Sequence, residues 1–230
     1  MLIAISLLVI LLFFAFLLWY YKQVYFYRDP VRIPPAGEKI ILSPADGNIV
    51  YIKKFKEGKI ISQKLDERIK ISEITKSVDF GPSGFIIGIY MKPTDVHFNY
   101  APISGTVKSI IYTPSKYNLP MVDLWEYFNL VFLHRLVSFW SKKFHWHNER
   151  QTILLEGKDI KVGIVEIADK FVNKIDCFVK EGDKIKAGQK ISFIKRGSQV
   201  DLIIYKEDLD IKVKKGDQVY GAQTILVSFE

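Results

Sequence analysis

Residues 2–21 form an uncharged run of 20, built from Leu, Ile, Phe and Ala and closed by Trp19, Tyr20 and Tyr21. At ~1.5 Å per residue a helix of that length spans about 30 Å, the hydrocarbon thickness of a bilayer. A cleaved signal peptide would want a basic start, a shorter apolar core and a small-residue cleavage site. Instead the run ends in aromatic residues and is followed by Lys22, Arg28 and Arg32. This pattern predicts a retained single-pass anchor over residues 1–21 in the cell membrane, its positive flank placing the rest of the chain on the cytoplasmic side. Pro30, Pro34, Pro35 and Gly37 then break any helix, so residues 22–38 read as a linker.

From residue 39 to 230 the pattern is that of short strands. Runs rich in β-branched and aromatic residues, bounded by Gly and Pro, fall at 40–42, 47–52, 85–91, 105–112, 151–155, 161–167, 190–194, 200–205 and 224–229. Turns about ten residues apart point to a sandwich or barrel rather than to βαβ units. Two internal echoes agree. Val179-Lys180-Glu181-Gly182-Asp183, followed by Gly188-Gln189, recurs as Val213-Lys214-Lys215-Gly216-Asp217 followed by Ala222-Gln223. Ser43-Pro44-Ala45-Asp46-Gly47 recurs loosely as Ala101-Pro102-Ile103-Ser104-Gly105. The predicted fold class is therefore mainly β (α+β): a barrel-sandwich-like domain, similar in texture to lipoyl and biotinyl carriers. Residues 120–147 differ, with eight Trp, Tyr and Phe residues and a helical spacing of Leu124, Phe128, Val131 and Leu136. This aromatic insert either packs on the β core or lies in the membrane interface with Lys142 and Lys143 toward headgroups.

Composition narrows the function classes. Hydrophobic residues make up 49% and charged residues 25%, with 14 Gly and 9 Pro, which excludes collagen-like and disordered chains. A single cysteine, Cys177, excludes an internal disulfide framework and any Cys-rich zinc site. The net charge of +8 suits an anionic leaflet beside the anchor. Four histidines are the main candidates for chemistry. His145 and His147 form a His-x-His pair with only Glu149 nearby, too few ligands for a metal site, so none is expected and both read as solvated or interfacial. His97 follows Asp95 by two and precedes Asn99 by two, so in an extended segment all three share a side. Asp46 before Gly47 and Ser198 after Gly197 are, taken singly, ordinary turn material.

Taken together, five blocks in order resemble a known family. They are Phe26-Tyr27-Arg28-Asp29-Pro30, Ser43-Pro44-Ala45-Asp46-Gly47, Asp95-Val96-His97 through Ala101-Pro102-Ile103-Ser104-Gly105, Asn148-Glu149-Arg150, and Arg196-Gly197-Ser198. The chain is similar to the phosphatidylserine decarboxylases, in particular to the short form that includes archaeal archaetidylserine decarboxylases. The resemblance implies a membrane-bound proenzyme that cuts itself between Gly197 and Ser198. Ser198 Oγ would attack the Gly197 carbonyl, and elimination would leave a pyruvoyl group at position 198 as the built-in cofactor. The two cleaved chains would stay together as a heterodimer. The substrate would be a phosphatidylserine-type or archaetidylserine lipid, converted to the ethanolamine lipid and carbon dioxide. No nucleic acid is implied as a partner.

The residue chemistry suits these roles. A serine hydroxyl needs a base at neutral pH. His97 can take its proton and Asp46 can hold the imidazole in the right tautomer, as in a Ser-His-Asp triad. His97 is also the expected proton donor during decarboxylation. Many relatives carry a second histidine where Tyr100 stands, so His97 would serve both steps. Gln199 stands where many have Ser or Thr. The competing readings are a non-catalytic, membrane-tethered carrier or scaffold, for which Lys170 is the nearest to a carrier lysine, and a zinc peptidase, for which no His-x3-Asp occurs.

Overall fold

The computed structural model describes residues 2–60, 70–77, 81–131, 140, 142–170, 175–195 and 198–230. Helix α1 (Leu2–Tyr20) continues through one π-helical turn, Tyr21–Tyr25. Its side chains are exposed nearly throughout, and Ile3–Tyr25 is long and apolar enough to cross a membrane. Among the described residues it is the one helix that meets this test.

All nine strands read from the sequence form. The large sheet contains β2 (Gly47–Lys56), β3 (Lys59–Ile60), β4 (Gly84–Met91), β6 (Gly105–Thr113), β7 (Arg150–Glu156), β8 (Lys161–Ala168), β10 (Lys184–Ile185), β12 (Ser198–Ile204) and β14 (Gln218–Val219). Its order is β10-β6-β7-β8-β12-β4-β2-β14, with β3 on β2. One small sheet is β1 (Ile40–Leu42), β15 (Ile225–Ser228) and β13 (Asp210–Ile211). The other is β5 (Phe98–Tyr100), β11 (Lys190–Ile194) and β9 (Ile175–Cys177). The described pairings within the sheets are antiparallel. The sheets face one another as a sandwich and do not close into a barrel.

Strand β12 shows how the layers are filled. Every one of its residues is buried, including the polar Ser198, Gln199 and Asp201, because the strand is covered on both faces. Val200, Leu202 and Ile204 point into a core shared with Ile41, Ile175, Ile191 and Ile194 of the small sheets. Ile203 points the other way, into a second core with Ile71 and Ile74 of α2 (Ile71–Thr75), Met121 and Phe144. Described residues of the aromatic insert pack on that second face. Helix α3 (Leu124–Val131) lies within the expected stretch, and residues 132–139, where the rest of that expectation falls, lie outside the described residues. Phe144 of α4 (Phe144–His147) is buried, and Trp140 and Trp146 pack on the same core, while Trp125 and Phe128 are exposed. The described ends of the insert are therefore core-packed.

The two sequence echoes are one structural unit used twice. Lys180 N–H donates to Asp183 Oδ2 at 2.8 Å, and Lys214 N–H to Asp217 Oδ2 at 2.9 Å. Gly182 N–H then reaches Val107 O, as Gly216 N–H reaches Ile49 O, both at 2.8 Å. Gly188 N–H bonds Ala101 O, as Ala222 N–H bonds Ser43 O. Gly188 (φ 79°) and Ala222 (φ 62°) are both left-handed, a conformation that costs Gly little and Ala more. Ser104 Oγ accepts from Ala187 N–H at 2.9 Å, and at the matching place Asp46 Oδ1 accepts from Gly221 N–H at 2.7 Å.

Candidate active site

Ser198 opens β12, fully buried, in register with Met91 of β4 on one side and Ala168 of β8 on the other. Its Oγ donates to Met91 Sδ at 3.1 Å, a weak acceptor. Gly197 and Arg196 lie outside the described residues. The chain leaves Met91 through a tight turn, where Lys92 N–H bonds Asp95 Oδ2 at 2.8 Å, and arrives at His97 just before β5. Ile194, four residues before Ser198, donates its N–H to His97 O at 3.1 Å. The two ends of the 91–97 turn and of the 194–198 connection thus bring His97 and Ser198 to one end of the sandwich.

His97 is fully buried, and its Nδ1 lies 2.9 Å from the Asp95 carbonyl. A carbonyl only accepts, so Nδ1 carries the proton and Nε2 presents a lone pair. That Nε2 is buried and has no partner among the described residues. Burial drives the imidazole's pKa down to about 4, against the pull of the Asp95 carbonyl. At neutral pH His97 is therefore an uncharged base, in the state proton abstraction needs.

Asp46 does not hold this imidazole. One carboxylate oxygen caps Gly221 N–H, the task Ser104 performs in the other repeat, and the other takes the Arg32 guanidinium at 2.7 Å. The Asp95 main chain has the tautomer-fixing place that a triad would give to a carboxylate. Tyr100 is buried with its phenol pKa raised, chiefly by desolvation, so it offers no base either.

Arg32 belongs to a strap that ties α1 to this corner. Tyr21 Oη donates to Pro93 O at 2.7 Å, and Arg28 to Thr94 O at 2.6 Å. The Phe26 ring lies 4.4 Å from the His97 ring, and Tyr27 stacks on Phe193. Asp29 pairs with Lys190. The segment read as a linker is thus built into the site.

On the opposite face of β12, Gln199 and Asp201 join a buried network. Tyr51 Oη donates to Asp201 Oδ1 at 2.6 Å and lies 3.0 Å from His145 Nε2. Gln199 Nε2 is 2.7 Å from Tyr51 Oη and from Asp201 Oδ1. Burial raises the Asp201 pKa to about 6 and lowers that of His145 to about 3. His145 is only 2% exposed, which corrects its reading as a solvated or interfacial residue; His147 is exposed. The Asn148-Glu149-Arg150 block clamps this layer. Asn148 Nδ2 donates to Leu119 O and to Ala168 O, the strand partner of Ser198, and the buried Arg150 donates to the carbonyls of Ile74, Phe144, His145 and Asn148.

The family model for phosphatidylserine decarboxylase matches residues 22–227. The chain belongs to the phosphatidylserine decarboxylase family. Among its relatives is a Methanocaldococcus jannaschii protein assigned as an archaetidylserine decarboxylase proenzyme, 36% identical over 204 residues, 88% of this chain and 87% of that one. Proteins named phosphatidylserine decarboxylase proenzyme from Desulfotalea psychrophila and Chlorobium limicola are 32% and 27% identical over 219 residues each, covering 94% and 95% of this chain. They cover 83% and 84% of those relatives. Family membership makes the chain a decarboxylase, and the matched region includes Ser198, His97 and the strap residues Phe26, Arg28 and Arg32.

Proposed function

We propose that this chain is a membrane-tethered proenzyme that cleaves itself between Gly197 and Ser198 and then decarboxylates a phospholipid with a serine headgroup. The observation that carries this reading is the neutral Nε2 of His97, unpartnered among the described residues, in a ring buried against Phe26 of the strap and in a residue bonded to Ile194, four residues before Ser198. A pyruvoyl group at position 198 supplies a carbonyl electron sink for loss of carbon dioxide. The residues present suit such a group: position 198 is dry, flanked by Met91 and Ala168, and held in a strand whose backbone is paired on both sides. His97 accepts a proton at Nε2 and can return it. Met91, Phe26 and Phe193 exclude water. Arg32 and Lys190 are neutralised by Asp46 and Asp29, whereas Arg28 donates to main-chain carbonyls and keeps its charge at this corner, which favours a phosphate-bearing lipid. The strap brings that corner to the bilayer surface, with the domain on the cytoplasmic side by the positive-inside argument.

Intact mass spectrometry tests the reading. The purified wild type should appear as two chains split after Gly197, with the α-nitrogen of Ser198 lost from the second as ammonia and replaced by a keto oxygen, and Ser198→Ala should remain whole. An uncut wild type recovered from membranes would favour the carrier or scaffold reading instead.

A further inference from the structure

Glu166 is a carboxyl that the mechanism above leaves unused. It lies on β8, fully buried, on the same face as Ile164, Ala168 and Ser198. Ala168 is directly opposite Ser198 and Glu166 is directly opposite Val200. Glu166 is therefore the diagonal neighbour of position 198, roughly 7–8 Å away and within reach of a long side chain. Two small sheets cover this face, and the only acid in the described part of β8's inward surface sits where β11 and β5 cross it.

Three side chains surround the carboxyl. Ser192 Oγ of β11 bonds one oxygen, and Gln151 Nε2 of β7 donates to the other at 2.9 Å. Asn99 of β5 donates to Ser192 Oγ at 3.1 Å and also reaches the carboxyl. Asn99 is two residues from His97, which immediately precedes β5. Its Oδ1, like His97 Nε2, is a buried acceptor with no donor among the described residues. Two buried acceptors two residues apart thus lack donors among the described residues, and Asn99 links them to the carboxyl. No cation faces Glu166 from β7, β12, β11 or β5. Cys177 on β9 is the titratable neighbour, its thiol pushed up by burial and in part by this carboxyl.

A primary ammonium fits that arrangement, since it brings the missing donors and must lose a proton before its nitrogen can react with a carbonyl. We propose that Glu166 is the proton-holding residue of this site, charged and discharged through the Ser192 hydroxyl, and that it receives the proton of the substrate's primary ammonium. The inference rests on the proposed function and deepens it. The relay balances. As Ser192 Oγ receives the proton that the ammonium gives up, it passes its own to Glu166, turning ammonium into free amine and carboxylate into carboxylic acid. When carbon dioxide leaves, the electron pair of the broken bond stays behind, and the stored proton returns along the reverse path to the carbon. No other reactant is needed. Burial favours the neutral acid and raises the pKa of Glu166 to about 7, with Ser192, Gln151 and Asn99 opposing. The group can therefore both hold and release a proton at neutral pH.

The test uses Glu166→Gln and Ser192→Ala in the full-length chain. Both should still split after Gly197, read by intact mass. Wild-type turnover of a phosphatidylserine vesicle should show a limb with an apparent pKa near 7, and Glu166→Gln should lose that limb and about 10²-fold in kcat. Ser192→Ala should lose a comparable factor while keeping the carboxyl. A second readout needs no activity. In unprocessed Ser198→Ala, difference infrared spectroscopy should show a protonated carboxyl band that titrates near pH 7 and is absent when Glu166→Gln is added. Processed variants with wild-type kcat and an unchanged pH profile overturn the proposal. So does a carboxyl band that does not titrate between pH 5 and 9, even if a variant fails to fold. Failure of the functional reading is distinct: the wild type itself would neither split nor release carbon dioxide, and the relay falls with it.

Discussion

At the scale of single residues, the buried titratable groups pull stability in opposite directions with pH. His97 and His145 have native pKa values lowered to about 4 and about 3, mainly by desolvation. An unfolded histidine takes up a proton near pH 6.5, whereas these resist it, so their contribution is present above that pH and is lost as pH falls toward 4. Glu166 and Asp201, raised to about 7 and about 6, act oppositely. Each binds its proton more tightly in the native state, so that stability is present below pH 4 and is lost as pH rises through the native value. The near-cancellation masks each group in the wild type, and a single substitution unmasks it. In His145→Gln the acid-driven loss from one histidine disappears. The stability gap between wild type and this variant should narrow by about 3 kcal/mol between pH 6.5 and pH 4. Urea midpoints at the two pH values check this, and a gap that stays constant or widens on acidification would show that His145 is not held neutral.

At the scale of elements, the strand plan was readable because β-branched residues cluster where two cores must be filled. The short strands β9, β10, β13 and β14 carry no such signal; each is two or three residues long and is fixed by its partner. The site was half readable. His97 and Ser198 stood out by their motif, but the partner of Asp46 could not be foreseen, because Arg32 comes from a segment whose prolines suggest only a linker. Glu166 had a faint signal, one acid in the apolar run 162–168. Aspartate and glycine in Ser43-Pro44-Ala45-Asp46-Gly47 also owe much to the repeat itself. A Cβ on Gly47 would stand 2.3 Å from Tyr90 O, and one on Gly105 would stand 2.3 Å from Glu156 O. Both glycines let a strand start against its neighbour's backbone, which a flexible side chain cannot relieve. Gly47→Ala and Gly105→Ala should therefore destabilise the fold alike, by more than about 2 kcal/mol each. Thermal unfolding of unprocessed Ser198→Ala carrying either change separates this role from any part in catalysis. Tolerance at Gly105 with loss at Gly47 would instead mark the first block as special to the chemistry.

At the scale of the whole molecule, the proposed attachment to the bilayer and the assembly of the site share one segment but divide between its two halves. Helix α1 exposes its side chains nearly throughout, whereas Tyr21, Phe26, Arg28 and Arg32 are fastened to Pro93, His97, Thr94 and Asp46. Removing residues 2–20 should therefore leave the strap seated, the fold intact and the cut after Gly197 unchanged. What it removes is the apolar helix to which the proposed hold on the bilayer is assigned. The +8 chain should still adhere to anionic vesicles at low salt through its basic surface, and should release as ionic strength shortens the Debye length from about 10 Å at 0.1 M to about 3 Å at 1 M. The full chain should stay bound throughout. Turnover of vesicle substrate by the shortened chain should fall at least 10-fold in high salt and recover when the same lipid is dispersed in detergent, because the strap still closes over His97 and only delivery is lost. A shortened chain that fails to split, or that stays inactive in detergent, would show instead that the helix is needed to seat the strap, and that anchoring and site assembly form one cooperative unit.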